Sequence, residues 1–133
     1  MPRSPRPGPH PLPSPDFARR DLPRITVGGP LFRVHRHDRG PLFFGKTGDN
    51  RFDDPRQGYG VLYAGLTEAC AFIETFGEPL TLPAVSAALL RTRKLSRIEV
   101  LRPRELVDLQ GANLRRAGAD ARLFAGEHAI ARA

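Results

Sequence analysis

The stretch from Leu31 to Phe76 constrains the fold most, because it changes from a strand-like to a helix-like pattern. Residues 31–35 alternate between apolar and polar side chains, as a half-buried strand does. Residues 36–59 are rich in Gly, Asp, Asn and Pro, which predicts a long loop. Residues 60–64 predict a second short strand, which ends at Gly65.

A helix is predicted directly after this strand. Thr67 is a suitable N-cap for a helix that runs to about Phe76, and Glu68 suits the positive end of the helix dipole. Four apolar residues recur at helical spacing and predict one buried stripe. These residues are Ala69, Phe72, Ile73 and Phe76. Glu74 lies away from the stripe, so we expect it to face solvent or a cleft.

The rest of the chain predicts further short elements. Residues 24–27 form a short apolar segment, residues 95–101 and 105–109 resemble strands, and residues 112–117 predict a short helix that ends at Gly118. Residues 82–90 are ambiguous, and residues 126–133 resemble the start of another helix. Strands and short helices together predict an α+β fold with a mixed sheet at its core.

The N-terminal segment differs in composition from the rest. The chain has 133 residues, which favours one domain. Half of its 14 prolines fall within the first sixteen residues, which carry almost no large apolar side chains. We therefore predict a disordered arm over residues 1–21 and a folded domain over residues 22–133. The arm lacks the apolar core of a signal peptide, and no apolar run reaches the length of a membrane span.

The charge leaves two interpretations open. The net charge is +7, and Lys46 and Lys94 are the only lysines, so arginine carries nearly all the positive charge. This excess suits an anionic partner, but the charge is scattered, which also fits a bias in composition. Cys70 is the single cysteine, which rules out an intramolecular disulfide and fits a reducing cytoplasm.

Residues 40–47 match the phosphate-binding string G-x-x-x-x-G-K-[ST]. A working loop of this kind needs a buried strand before it and a helix after it. The charged residues 35–39 precede it instead, residues 48–50 would break a helix, and Pro41 lacks an amide hydrogen. We therefore predict that the string is not a nucleotide-binding loop and that Lys46 is an ordinary loop residue.

Two smaller groups of residues could suggest a metal site. His35 and His37 would share one face of a strand, but no further ligand stands at a usual spacing, so we expect exposed histidines. Asp53 and Asp54 precede Pro55, a combination that predicts a turn rather than a cation site. No metal site is predicted.

Four residues remain as a candidate site: Arg33, Arg51, Tyr63 and Glu74. Each has an ordinary structural explanation when it is taken singly, since arginines snorkel, tyrosines pack and helical glutamates are solvated. Together, two guanidiniums, a phenol and a carboxylate suit the binding and cleavage of a ribosyl compound that carries phosphate.

The order of several motifs resembles the RES domain, the toxin half of Xre–RES bacterial toxin–antitoxin systems. The motifs are LFRVHR, FFG, NRFDDP, YGVLYAG and EACAFIETF, followed by IEVLRPRELVDLQGANLRRAGADARLFAG. The resemblance covers roughly residues 22–133. It implies a fold similar to that of ADP-ribosyltransferases and an enzyme that degrades NAD, by phosphorolysis or hydrolysis of the nicotinamide–ribose bond.

The resemblance also implies roles and partners. Arg51, Tyr63 and Glu74 would be catalytic, and Arg33, Arg51 and Tyr63 would bind the substrate. NAD would be the substrate and inorganic phosphate a co-substrate, with no cofactor. A cognate Xre-type antitoxin would be the protein partner, with nucleic acid contacted only through it, no membrane, and a cytoplasmic location.

One family residue has no counterpart in this chain. The family is named after Arg, Glu and Ser, and its Ser lies in a late segment, whereas this chain ends at Ala133. We therefore expect a member that is truncated at its C-terminus. Three alternatives stay open at this point: an ADP-ribosyltransferase acting on a protein or small molecule, an inactive remnant, and a basic binding module.

Overall fold

The computed structural model describes residues 10–77 and 85–125. A 3-10 helix, Phe17–Arg19, precedes strand β1, Arg24–Val27, and strand β2, Leu31–Arg36. Helix α1, Glu68–Phe76, helix α2, Ala87–Arg91, and strand β3, Arg93–Ile98, follow. Strand β4, Arg104–Val107, helix α3, Ala112–Arg116, and helix α4, Arg122–Ala125, complete the described elements. The predicted α+β class is confirmed.

Within the described ranges the strands form two sheets of two strands each. One sheet pairs β1 with β4 and the other pairs β2 with β3. The β2–β3 ladder is antiparallel and aligns Arg33 with Ser96 and His35 with Lys94. The predicted strand over residues 60–64 is reduced to an isolated bridge between Gly45 and Val61. The likeness to ADP-ribosyltransferases stays a prediction.

The chain divides into two compact units. The first unit comprises Met1–Ile25, Lys46–Gly60 and Glu105–Ala133, and the second comprises Thr26–Gly45 and Val61–Arg104. Among the described residues, the buried apolar side chains are Ala117 in the first unit and Ala71 in the second. The small side chain of Ala71 lies where a neighbouring backbone segment, at Gly65, approaches closely.

Part of the predicted arm has defined structure in the first unit. His10 is buried, and its Nε2 accepts a hydrogen bond from the backbone amide of Asp120 at 3.2 Å. A side chain at Gly118 would meet the guanidinium of Arg20 at 2.6 Å, so the segment before β1 lies close to the end of α3. Residues 1–9 of the predicted arm and the predicted helix over 126–133 lie outside the described residues.

Helix α1 begins and ends as its sequence predicts. The side chain of Thr67 accepts a hydrogen bond from the amide of Cys70 at 3.1 Å, which is the expected N-cap contact. The predicted buried stripe, however, is wrong, because Phe72 is 43% and Ile73 is 65% exposed. Ala69, Phe72 and Phe76 of the stripe instead line an open groove of about 390 Å³ together with Leu90 and Leu95.

A different face of α1 packs on β2. Ala71 is buried, and the hydroxyl of Thr75 donates to the carbonyl of Ala71 at 3.1 Å and lies 3.5 Å from the carbonyl of Val34. Gly65 permits this close packing, because a Cβ at that position would lie 2.6 Å from the amide nitrogen of Ala71. Two small side chains and one glycine therefore place α1 against β2, while the larger side chains face outward.

Candidate active site

Arg33 lies on β2 and is fixed by the loop that follows this strand. Its Nη1 donates to the carbonyl of Pro41 and to the carbonyl of Phe43, both at 2.7 Å. Within the described ranges no partner is seen for its Nε and Nη2. Burial lowers the pKa of Arg33 from its usual value. The guanidinium still stays cationic at neutral pH, because the usual pKa of arginine lies far above neutrality. Arg33 thus holds the loop through Nη1, and its Nε and Nη2 can donate hydrogen bonds to an anion.

Tyr63 lies between two backbone bridges and is half-buried. On one side, Val61 exchanges hydrogen bonds with Gly45 at 2.9 and 3.0 Å. On the other side, Gly65 exchanges hydrogen bonds with Phe32 of β2 at 2.7 and 2.8 Å. Because each bridge is only two residues away, the backbone at Tyr63 has little freedom to move.

Glu74 is an exposed residue on α1, as predicted. It lies away from the stripe of Ala69, Phe72, Ile73 and Phe76, as helical spacing predicts. Glu74 precedes Thr75, which lies on the face that approaches Val34. Glu74 therefore stands at the border of the face that packs on β2.

Three of the four predicted site residues belong to the second unit and lie near contacts with the same strand. Arg33 is adjacent to Phe32, Tyr63 is two residues from the bridge that Phe32 makes, and Glu74 is adjacent to Thr75. The guanidinium of Arg33 is thereby carried by β2 itself, the phenol of Tyr63 by the segment bridged to β2, and the carboxylate of Glu74 by the helix that packs on β2. Such a set can bind an anion with one group and stabilise a developing positive charge with another.

Arg51 belongs to the first unit. It follows Asn50 in a turn that is closed by a hydrogen bond from the amide of Asp53 to the carbonyl of Asn50 at 3.1 Å. Its Nη1 donates to the carbonyl of Leu123 in α4 at 2.9 Å. Phe52 and Leu123 also line a pocket of about 350 Å³, whose largely apolar walls suit a flat ring.

The phosphate-binding string over residues 40–47 does not form a phosphate cradle, which confirms the prediction that it is not a nucleotide-binding loop. The amide of Gly45 is used in the bridge to Val61, and the amide of Phe43 closes a turn with Gly40. Within residues 40–67 no helix follows the string, and Lys46 is exposed. The carbonyls of this loop instead accept from Arg33, so the loop supports that arginine rather than a nucleotide.

The expectation that His35 is exposed is wrong. His35 is 8% exposed, its Nδ1 lies 2.9 Å from the carbonyl of Arg36, and its Nε2 lies 2.8 Å from the hydroxyl of Ser96. A carbonyl only accepts, so Nδ1 carries the proton and Nε2 accepts from the hydroxyl. The pairing of β2 with β3 supplies the serine, and this partner is 61 residues away in sequence. His37 is exposed, as predicted.

Sequence reasoning assigned Asp53 to a turn but missed its burial. Asp53 is 1% exposed, and its carboxylate accepts from Asn50 and Thr47. The signal was present in the spacing, because an Asp three residues after an Asn in a turn can bond back to its backbone.

Among the described residues, no group of three His, Cys, Asp or Glu side chains is arranged to hold a metal ion. No helix in the described ranges has the length and apolar character needed to cross a membrane.

Comparison with known protein families shows which family the chain matches. The family model of the RES domain matches residues 30–133, which is most of the chain and includes all four predicted site residues. No curated protein and no solved structure matches the chain significantly.

Proposed function

Since the chain belongs to the RES domain family, we propose that it is an enzyme that degrades NAD by breaking the nicotinamide–ribose bond. The observation that carries the proposal is the family match over residues 30–133, which spans Arg33, Arg51, Tyr63 and Glu74. The position of Arg33 on β2, of Tyr63 in the segment bridged to β2 and of Glu74 on the helix that packs on β2 is compatible with this proposal.

The chemistry of the bond assigns a role to each residue. Cleavage of the N-glycosidic bond develops positive charge on the ribose, and the carboxylate of Glu74 would stabilise that charge and hold the ribose hydroxyls. Tyr63 would stack on the nicotinamide or donate a hydrogen bond to it. Nicotinamide leaves as a neutral molecule from a cationic precursor, so the reaction needs no strong general acid.

The two arginines would bind the phosphates. Guanidinium groups make paired hydrogen bonds to phosphate oxygens, and this geometry suits the pyrophosphate of NAD or an attacking inorganic phosphate. Arg33 is held by Pro41 and Phe43, and Arg51 is held by Leu123, so both groups are oriented before a ligand arrives. Orientation of this kind lowers the entropic cost of binding.

The biological role that we propose is that of a bacterial toxin in the cytoplasm, neutralised by a cognate Xre-type antitoxin. The antitoxin would supply the contact with DNA. The basic charge of this chain would then serve its anionic substrate rather than nucleic acid.

Expression in a bacterial host tests the proposal. The chain should arrest growth and lower cellular NAD, and Glu74→Gln should relieve both effects because it removes the charge that stabilises the transition state. Glu68→Gln is the matched control, since it makes the same change at an exposed position in the first turn of the same helix. Equal toxicity of the Glu74→Gln variant and the parent chain, at equal expression, would count against the assigned role.

A further inference from the structure

Asp53 is the most buried charged side chain among the described residues, and it stands two residues after Arg51. Its side chain and backbone together are 1% exposed. A buried carboxylate is costly unless hydrogen bonds replace its lost hydration. The partners of Asp53 therefore indicate why the chain retains a carboxylate at this position.

Three hydrogen-bond donors to this carboxylate lie in the loop that carries Arg51. Its Oδ2 accepts from the backbone amide of Asn50 at 3.2 Å, from the side-chain amide of Asn50 at 3.0 Å, and from the hydroxyl of Thr47 at 3.3 Å. The backbone of Gly48 donates as well. Burial acts to raise the pKa of Asp53, but these bonds outweigh it and hold the pKa below its usual value.

These hydrogen bonds hold the backbone on both sides of Arg51, at Asn50 and at Asp53. Asn50 and Asp53 flank the turn and are joined by the backbone bond of 3.1 Å and by the side-chain bonds of Asp53. The guanidinium of Arg51 is held at its far end by the carbonyl of Leu123 at 2.9 Å. The backbone of Arg51 is thus fixed by the carboxylate, and the end of its side chain is fixed by α4.

We propose that Asp53 is a positioning residue that fixes the turn bearing Arg51 and so aims its guanidinium at a phosphate group. The catalytic part of this inference rests on the proposed function. The structural part does not, because it concerns only how the turn is held.

Asp54 provides an internal comparison. Its carboxylate accepts from the amide of Arg56 at 2.9 Å and from the amide of Gly58 at 2.7 Å, so it holds the next turn in the same way. Each of two adjacent turns therefore contains one arginine and is closed by one aspartate. The same substitution at the two aspartates should open one turn and leave the other intact.

Limited trypsin digestion reads each turn separately. Trypsin cleaves after arginine, so it reports on the bond after Arg51 and on the bond after Arg56, and mass spectrometry distinguishes the products. Loss of hydrogen bonds to a charged group should raise cleavage of an opened turn about tenfold or more. Asp53→Ala should therefore accelerate cleavage after Arg51, whereas Asp54→Ala should accelerate cleavage after Arg56. Equal acceleration after Arg51 in both variants would overturn the inference.

The rate of NAD cleavage tests whether Asp53 acts through Arg51. A misplaced guanidinium should lower kcat/KM for NAD cleavage about 10- to 100-fold in Asp53→Ala. The effect should vanish in an Arg51→Ala background, because residues that act as a unit are not additive. An equal loss in both backgrounds would mean that Asp53 affects only general stability, which contradicts a positioning role.

The role of Arg51 in NAD cleavage and the fixing of its turn by Asp53 can be contradicted separately. If the turn opens in the Asp53→Ala variant but Arg51→Ala leaves NAD cleavage unchanged, the role of Arg51 is wrong and the structural part stands. If either alanine variant does not fold, Asp53→Asn and Asp54→Asn replace the pair. The asparagine keeps one acceptor oxygen, so the same selective cleavage is expected with a smaller ratio, and no selectivity would overturn the inference.

Discussion

Replacement of Gly65 by alanine should disrupt the packing of α1 on β2. A Cβ at Gly65 would lie 2.6 Å from the amide nitrogen of Ala71, 2.8 Å from the Cβ of Cys70 and 2.9 Å from the carbonyl oxygen of Thr67. Two of these three atoms belong to the backbone, which cannot rotate away as a side chain can. The helix itself would have to move.

The expected loss of stability follows from these contacts. Overpacking of a tight site costs about 1–3 kcal/mol. Movement of α1 would also weaken the bridge between Gly65 and Phe32, whose two hydrogen bonds contribute about 1 kcal/mol each. We therefore expect Gly65→Ala to lower the free energy of unfolding by roughly 2–4 kcal/mol.

Gly29 gives a matched control, because a Cβ there meets nothing within 4 Å and its φ is not in the left-handed region. Gly29→Ala should raise the free energy of unfolding slightly, by about 0.4–1 kcal/mol, since alanine restricts the unfolded chain. Urea unfolding followed by far-ultraviolet circular dichroism measures both variants. A difference between them below about 1 kcal/mol would refute the close packing of Gly65 against α1.

Two further predictions concern local contacts. Thr67→Ala should lower the free energy of unfolding by about 1 kcal/mol, because it removes the acceptor for the Cys70 amide, whereas Thr67→Ser should preserve it; urea unfolding measures both. Arg122 bonds to the Asp120 carboxylate and lowers its pKa from 3.8 to about 2, so this contribution to stability is present above pH 4 and is lost as the pH falls toward 2. A carboxyl-carbon NMR titration should show the pKa of Asp120 near 2 in the parent chain and closer to 3.8 in Arg122→Gln; an unchanged value would contradict the pairing.

Local signals in the sequence were sufficient to predict where α1 starts and ends. The cap at Thr67 depends on a partner three residues away, and the structure has that contact. The strand over residues 31–35 was likewise predictable, because alternation is a local pattern. These predictions needed no knowledge of which segments meet in space.

Predictions that depended on distant partners were less successful. The face of α1 that packs was not the face with the largest apolar side chains, because Gly65 and Ala71 allow a closer approach than Phe72 and Ile73 do. His35 is buried because β3 supplies Ser96.

The candidate site was predictable in its members but not in its supports. The family resemblance ordered Arg33, Arg51, Tyr63 and Glu74, and the family match spans these positions. The carbonyls that hold Arg33 and the carboxylate that closes the Arg51 turn became visible only in three dimensions. Their roles in catalysis stay predictions.

Release of nicotinamide from NAD by the purified chain is the most direct test of the proposed function. Chromatography should detect nicotinamide with the parent chain, in the presence or absence of inorganic phosphate, and the ribosyl product distinguishes phosphorolysis from hydrolysis. Glu74→Gln should reduce the rate about 100-fold or more, with Glu68→Gln close to the parent chain. Absence of nicotinamide under both conditions, or equal release by the Glu74→Gln variant, would contradict the account.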